Sequence, residues 1–273
     1  MVAQDFTQDN NNNNSSDISD CALEKFRELI RSDPFLNRFV YDEILLRVFL
    51  RFGAGDMDKS IRRLSNYVNR SNKITYSNRV EQDKKVKKAF HSNILEITRN
   101  RETNHAVVII RVRHWNPKEI TTAESFQLIA TLPIMLEQLL HCNGIQIIID
   151  ASGLSFRHIY SFGITPLINF ARLLFSCLPM RIRQIHFIHT NSVANWALKM
   201  VEPFLDAKMR DRIIFYGNDL TTLHKHIPKD SLPSELGGTL IDRFTPDDYV
   251  NLYNEIDPVI NNIYSKFTKI QDF

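Results

Sequence analysis

The amino-acid sequence predicts an α/β protein in which a small all-helical module precedes a mixed, mainly parallel sheet. Two observations predict this class. Apolar strand-like runs and amphipathic helical patterns alternate along residues 105–217, which is typical of parallel strands joined by crossover helices. Upstream, residues 19–90 contain helical patterns without a strand run. The apolar share of 43 %, with 18 phenylalanines, is enough to bury a sizeable core.

The elements follow each other in a regular order. In the module, helices are predicted at "CALEKFRELIRS", "YDEILLRVFLRFG" and "DMDKSIRRLSNYVNRSNK", where apolar residues recur at helical spacing. The predicted strands are 105–112, 144–150, 182–190 and 211–217, and the helical patterns between them are 123–142, 162–179 and 191–204. The run "GIQIIID" at 144–150 is apolar almost throughout, as expected for a strand that is covered on both faces.

The chain divides into four predicted segments. Residues 1–18 contain a run of five asparagines and almost nothing to bury, which predicts a disordered tail. Residues 19–90 form the helical module, residues 91–257 the α/β domain, and residues 258–273 a C-terminal helical tail.

Composition narrows the class of function. The net charge of +3 is too small for a general nucleic-acid binder, so no nucleic-acid partner is expected. The three cysteines are sparse and odd in number, which fits a reduced intracellular protein. There is no secretory signal and no apolar run long enough to span a membrane. We therefore expect a soluble, cytoplasmic protein.

Motifs for enzyme chemistry are missing. No glycine-rich dinucleotide fingerprint, P-loop or nucleophile elbow is present, and no histidine or cysteine cluster has metal-ligand spacing. Asp150, at the end of a predicted strand, could serve as a catalytic base or could cap the following turn, and the turn is favoured. We therefore predict no catalytic residues, no metal and no cofactor.

Residues 177–205 combine two features that indicate a functional site, a pair of arginines and an amphipathic helix. Arg181 and Arg183 stand at the start of a predicted strand, and an amphipathic helix follows it. The helix either packs permanently on the core or opens as a gate. Its apolar stripe is spaced i, i+3, i+4, i+7, i+8 and i+11 and consists of Val193, Trp196, Ala197, Met200, Val201 and Phe204.

Five blocks in this order resemble the CRAL-TRIO lipid-binding family over about residues 22–257. They are "LLRVFLRFGAGDMDKSIRRLSNY", "GIQIIIDASGLSF", "LPMRIRQIHFIHTNS", "VEPFLDAKMRDRIIFYG" and "LPSELGG". A further block, "VVIIRVRHWNPK", also resembles the branch of tocopherol- and retinaldehyde-binding proteins, and the chain is most similar to that branch. Two positions depart from this branch: Gly53 stands where the branch usually has a basic residue, and Glu202 stands where it often has a lysine.

The resemblance implies a sheet that forms the floor of an apolar pocket, a gate helix at about 191–205, and transfer of one tocopherol- or retinoid-like lipid between membranes as cargo. It implies a transient membrane association through phosphoinositide headgroups, bound by Arg181, Arg183, Lys208 and Arg212. The implied pocket residues are Phe126, Ile129, Pro133, Ile145, Ile149, Phe162, Phe170, Leu173 and Leu178.

Three alternatives remain open. A phosphoinositide-responsive sensor or adaptor would keep its pocket lipid as a structural component and would transfer none. An enzyme would depend on Asp150. A small domain of the sulfate-transporter and anti-sigma-antagonist type could contain "IIIDASGL", but the helical module and the "LPSELGG" block argue against it.

Overall fold

The structure, a computed structural model, describes residues 18–71, 79–140, 142 and 144–256. The predicted N-terminal tail, apart from Ile18, and the predicted C-terminal helical tail lie outside these residues. Within the described ranges, no helix is long and apolar enough to cross a membrane.

The helical module contains α1 (Asp20–Ser32), α2 (Glu43–Gly53), α3 (Met57–Ser71) and α4 (Arg79–His91). Side-chain caps fix two of its helix starts: Ser19 accepts the Ala22 backbone N–H, and Asp42 accepts that of Ile44. Buried Phe26, Phe49, Leu64 and Phe90 fill the core between the helices. This core is continuous with that of the α/β domain.

Five strands form one sheet in the order β1-β2-β3-β4-β5. They are β1 (Leu95–Asn100), β2 (His105–Arg111), β3 (Gly144–Asp150), β4 (Ile182–Ile188) and β5 (Ile213–Phe215). β1 pairs antiparallel with β2, and the other neighbours are parallel. The predicted mixed, mainly parallel α/β fold is confirmed.

β1 was not among the predicted strands because polar residues occupy one of its faces. Glu96, Thr98 and Asn100 are buried, and each has a hydrogen-bond partner. Glu96 lies between the guanidinium groups of Arg111 and Arg243. A strand whose inward side chains are polar does not show the alternation by which half-buried strands are predicted.

Helices cover one face of the sheet. They are α5 (Thr122–Leu140), α6 (Phe156–Phe162), α7 (Ile164–Arg172), α8 (Ser192–Val201) and α9 (Ala207–Arg210). The helix predicted over 162–179 begins instead after a break at Gly163, whose φ of 83° is favourable only for glycine. A further helix at 246–256, α10, packs near α4.

The opposite face of the sheet, here the back face, is covered by irregular chain that includes Leu223, Ile227 and Leu232. Side chains alternate between the two faces along each strand. On β3, Ile147 and Ile149 point to the helices, and Gln146 and Ile148 to the back face. This alternation separates an apolar helix-covered side from a partly polar back side.

Candidate functional site

A cavity of about 290 Å³ lies between the sheet and its covering helices. This volume is at the lower end of the range for small-molecule sites. Its floor comes from the strands, and its walls from α5, α6, α7 and α8. The main contributors are Leu95, Val108, Ile110, Ile147, Ile149, Ile185, Phe187 and Ile213 from the sheet, and Leu128, Ile129, Leu132, Ile159, Phe162, Leu167, Phe170, Ala194, Ala197, Leu198 and Val201 from the helices.

The cavity lining is almost wholly apolar. Among the described residues that line it, only Trp115, Ser125 and His158 carry a polar side-chain atom, and none is Lys, Arg, Asp or Glu. Burying a charged group without a partner costs several kcal/mol or more. The cavity therefore suits a neutral, mainly hydrocarbon molecule.

Helix α8 forms part of the wall, at the position predicted for the gate. Its N-cap Asn191 is held twice, because its side chain accepts the Ala194 N–H at 2.9 Å and donates to the Leu154 carbonyl at 2.9 Å. After Val201 the chain continues as a 3-10 turn, Glu202–Phe204. The start of α8 is thus tied to the loop before α6.

The predicted stripe on α8 is divided between two sides of the helix. Ala197 and Val201 line the cavity, whereas Trp196 and Phe204 are exposed on the outer side. Val193 is buried and Met200 half-buried, but neither lines the cavity. The cavity side instead uses Ala194, Leu198 and Leu205. Together with Ala197 and Val201, these residues are spaced i, i+3, i+4, i+7 and i+11 from Ala194, so the inward face is offset by one residue from the predicted stripe. This offset places Trp196 and Phe204 on the outer side.

The predicted pocket residues are also divided. Ile129, Ile149, Phe162 and Phe170 line the cavity. Phe126 does not line it but packs behind Phe162 and Phe170, with ring centroids 6.5 and 5.6 Å apart.

Four further predicted residues lie away from this cavity. Pro133 and Ile145 line a smaller one between the module and the sheet, because Ile145 lies at the amino end of β3 and Pro133 on the later part of α5. Leu173 and Leu178 are in the core. Leu173 begins a π-helical segment, Leu173–Cys177. Leu178 follows this segment, and its N–H donates to the Leu173 carbonyl. The wider π turn brings Leu174 and Phe175 to the wall instead.

An apolar surface lies on the outer side of the helices that cover the cavity. It consists of Phe156, Tyr160, Ile164, Trp196 and Phe204, which are 61, 90, 40, 37 and 43 % exposed. Phe156 of α6 and Trp196 of α8 meet edge to face at 6.0 Å, and the Arg172 guanidinium lies 4.9 Å from the Phe204 ring centre. Sequence periodicity did not indicate Phe156, Tyr160 or Ile164. We call this set the outer apolar surface.

The four predicted phosphoinositide ligands surround the start of β4 and the turn before β5. Arg183 lies in β4 and Arg181 just before it, and Lys208 lies in α9. Arg212 follows α9, and its Nη1 donates to the Ile182 carbonyl at 2.5 Å. Burial and the nearby charge of Arg183 lower the pKa of Arg181. We call these four residues the basic rim.

The helical module adds a cation, Lys59, to the surroundings of the basic rim, and no pattern in the sequence indicated it. Gly53, one of the two positions at which the sequence departs from the resembled branch, is packed so closely that a Cβ would lie 2.0 Å from the Ser60 hydroxyl. Lys59 of α3, whose Nζ lies 4.9 Å from the Phe52 ring centre, is near the rim. Partial burial and the charges of Arg181 and Lys208 lower the pKa of Lys59. The module and the sheet therefore bring like charges together.

Asp150 occupies the turn position that the sequence favoured. Its Oδ1 accepts the Ser152 backbone N–H at 3.0 Å and contacts His189 Nδ1 at 2.9 Å. Burial opposes ionisation, but these hydrogen bonds prevail and lower the pKa of Asp150. Because Ile149 and Ala151 face the cavity, Asp150 faces the back of the sheet. A carboxylate there is out of reach of a molecule in the cavity.

The fold and this cavity define a class of protein. Residues 90–238 match the model of the CRAL/TRIO domain. The chain belongs to the CRAL/TRIO family, which comprises lipid-binding and lipid-transfer proteins rather than enzymes. The resemblance seen in the sequence is confirmed.

Proteins similar to this chain are consistent with the tocopherol-transfer branch of the family. The chain is 28 % identical over 226 residues to an α-tocopherol transfer protein-like protein of Mus musculus, a match covering 80 % of this chain and 64 % of the relative. The corresponding protein of Homo sapiens gives the same values. Clavesin-1 of Xenopus laevis is 27 % identical over 227 residues, covering 80 % of this chain and 67 % of its own. The solved structure of Sfh5 aligns with 90 % of this chain and 99 % of its own at 14 % identity, with a TM-score of 0.48.

Proposed function

We propose that this protein binds one neutral lipid, of tocopherol or retinoid type, and transfers it between membranes without catalysis. The observation that carries the proposal is the uncharged apolar cavity of about 290 Å³ beneath α8. Enclosing a hydrocarbon body there removes apolar surface from water, which stabilises a complex by roughly 25 cal/mol for each Å² buried. Membership of the CRAL/TRIO family supports the same function.

Helix α8 acts as the gate in this proposal. Its opening in water would expose Leu198, Val201 and Leu205, at a cost on the order of 5–9 kcal/mol for three large side chains. That cost makes spontaneous loss of the lipid rare. A membrane lowers it, because apolar side chains insert among the acyl chains instead of meeting water.

The outer apolar surface supports membrane contact before opening. Its side chains are exposed while α8 is closed, so they can enter the interface without any rearrangement. Aromatic side chains with a polar edge, such as Trp196 and Tyr160, favour the boundary between headgroups and acyl chains.

The basic rim, with Lys59, provides the electrostatic part of docking. In the described part of the chain, Arg181, Lys208 and Arg212 have no carboxylate within ion-pairing distance. Each cation close to an anionic bilayer contributes about 1 kcal/mol. The guanidinium groups favour phosphate oxygens because they donate two hydrogen bonds in parallel. Phosphoinositides are therefore the proposed membrane partner.

A vesicle-transfer assay tests the proposal. The protein is loaded with α-tocopherol or retinol, and transfer to vesicles with and without phosphatidylinositol bisphosphate is measured. Arg181→Glu with Arg183→Glu should slow transfer to the anionic vesicles and leave lipid affinity nearly unchanged. The control, Arg38→Glu with Arg101→Glu, makes the same charge change at exposed positions of the module and of the β1–β2 turn.

Three results would contradict parts of the proposal. Equal loss of affinity and transfer in the rim variant would refute a separate docking role. Equal slowing by the control would reduce the effect to net charge. Vesicle recruitment with no net lipid transfer would favour the sensor or adaptor.

A further inference from the structure

The polar groups of the cavity are grouped at one end. Trp115 packs against His158 with ring centroids 5.5 Å apart, and its indole N–H donates to the Ile120 carbonyl at 2.8 Å. Ile120 lies just before α5, and Ser125 lies in the first turns of that helix. Trp115, His158 and Ser125 all line the cavity, and the bond from Trp115 to Ile120 brings the start of α5, which carries Ser125, to the Trp115–His158 pair.

His158 presents a hydrogen-bond donor. Its Nδ1 accepts the Ser155 backbone N–H at 3.1 Å and lies 2.8 Å from the Ser155 hydroxyl. A nitrogen that accepts a backbone N–H carries no proton, so the ring proton is on Nε2. Since Nδ1 is engaged at the start of α6 and His158 lines the cavity, the ring nitrogen available to a molecule there is Nε2. No partner of Nε2 is found among the described residues.

Ser125 presents an acceptor. Its hydroxyl donates to the Thr121 carbonyl at 2.9 Å, which uses its only proton. The lone pairs of the oxygen stay available. Trp115 adds no further group, because its only donor is bonded to Ile120. This end of the cavity therefore offers one N–H donor and one oxygen acceptor.

We propose that His158 and Ser125 form a recognition site for the hydroxyl group of a neutral lipid alcohol or phenol. The oxygen of the lipid accepts from His158 Nε2, and its proton is donated to Ser125 Oγ. A carbonyl or ether would satisfy only His158, and a carboxylate or phosphate would lie in a cavity without a cation. This inference rests on the proposed function, since it names the chemical class of the cargo.

Matched pairs of lipids test the site. The probes are α-tocopherol with its methyl ether and retinol with its methyl ether, since methylation removes the O–H donor and keeps the oxygen acceptor. The wild-type protein should bind the free hydroxyl form of at least one pair about tenfold more tightly than its methyl ether. The bound ether would cover the Ser125 oxygen without donating a hydrogen bond to it, which costs about 1–3 kcal/mol.

Three variants separate hydrogen bonding from shape. Ser125→Thr and Ser125→Val have side chains of nearly the same shape, but only threonine keeps the hydroxyl. The Thr variant should retain the preference, and the Val variant should bind both forms within about twofold of each other. His158→Asn keeps an acceptor for the Ser155 N–H and removes Nε2–H. It should weaken both forms about equally, by about tenfold, with the unfolding midpoint close to wild type.

The outcomes distinguish the inference from the proposed function. Wild-type protein that binds ether and alcohol equally, or Ser125→Val that keeps the preference, would overturn the hydroxyl site and leave lipid binding intact. Binding of neither skeleton, in the same experiment, would overturn both.

Discussion

Removing the two rings that meet across α6 and α8 should weaken membrane binding. Phe156 and Trp196 are 61 and 37 % exposed, and an aromatic side chain carries about 150–250 Å² of surface. The pair therefore exposes on the order of 200 Å², equivalent to about 5 kcal/mol if wholly buried in the membrane at ~25 cal/mol per Å². Shallow insertion buries part of it, so Phe156→Ala with Trp196→Ala should lose about 2–3 kcal/mol, or roughly 50-fold in partitioning.

The measurement is co-sedimentation with vesicles of phosphatidylcholine and phosphatidylserine. Ile241→Ala is the matched control, because Ile241 is 89 % exposed and lies outside the covering helices. Retinol or α-tocopherol affinity should be unchanged in all three proteins. Vesicle binding by the double variant at the wild-type level, or an equal loss of vesicle binding in the control, would refute a role of these two rings in membrane contact.

Three predictions concern stability and are checked by urea unfolding. Burial lowers the pKa of His186 from 6.5 to about 4, so between these pH values the unfolded chain binds a proton that the folded protein does not. The free energy of unfolding should therefore fall by about 3 kcal/mol as the pH is lowered from 6.5 to 4. His186→Phe should make the free energy of unfolding less dependent on pH in this range. Ala54 has φ 53° at the end of α2, so Ala54→Gly should stabilise by about 0.5–1 kcal/mol, and a destabilised variant would contradict this. Glu96→Leu should lower the free energy of unfolding by about 3 kcal/mol because it removes a carboxylate partner of buried Arg111. Adding Arg111→Met should recover most of this loss. If the two substitutions destabilise additively, the pairing is refuted.

The sequence predicted the parallel strands well for a simple reason. Strands buried on both faces need apolar residues at nearly every position, and "GIQIIID" in β3 shows this directly. β1 escaped prediction because its inward side chains are polar and are satisfied by residues distant in sequence, such as Arg243 for Glu96. Such pairing is set by the tertiary fold and leaves no local pattern.

The site was predicted only in part, because its details depend on departures from ideal helices. A π turn decides that Leu174 rather than Leu173 faces the cavity. On α8 the inward face is offset by one residue from the apolar stripe, which leaves Phe204 outside. Lys59 lies near the basic rim only because the module packs against the α/β domain. It is too far from Arg181 in the sequence for a local motif to include both residues. His158 carries a weak local signal, since Ser155 three residues earlier is a typical helix cap.

The most direct test of a lipid cavity under α8 is the amount of lipid that the protein carries. Natively folded protein is incubated with membrane extract, repurified and extracted, and the lipid is quantified by mass spectrometry. Ala197→Phe places a ring on the cavity side of α8, and Asn195→Phe places the same ring on its exposed side. Wild type and Asn195→Phe should carry one neutral lipid per chain and Ala197→Phe much less. Equal lipid in all three proteins, or none in wild type, would contradict the account.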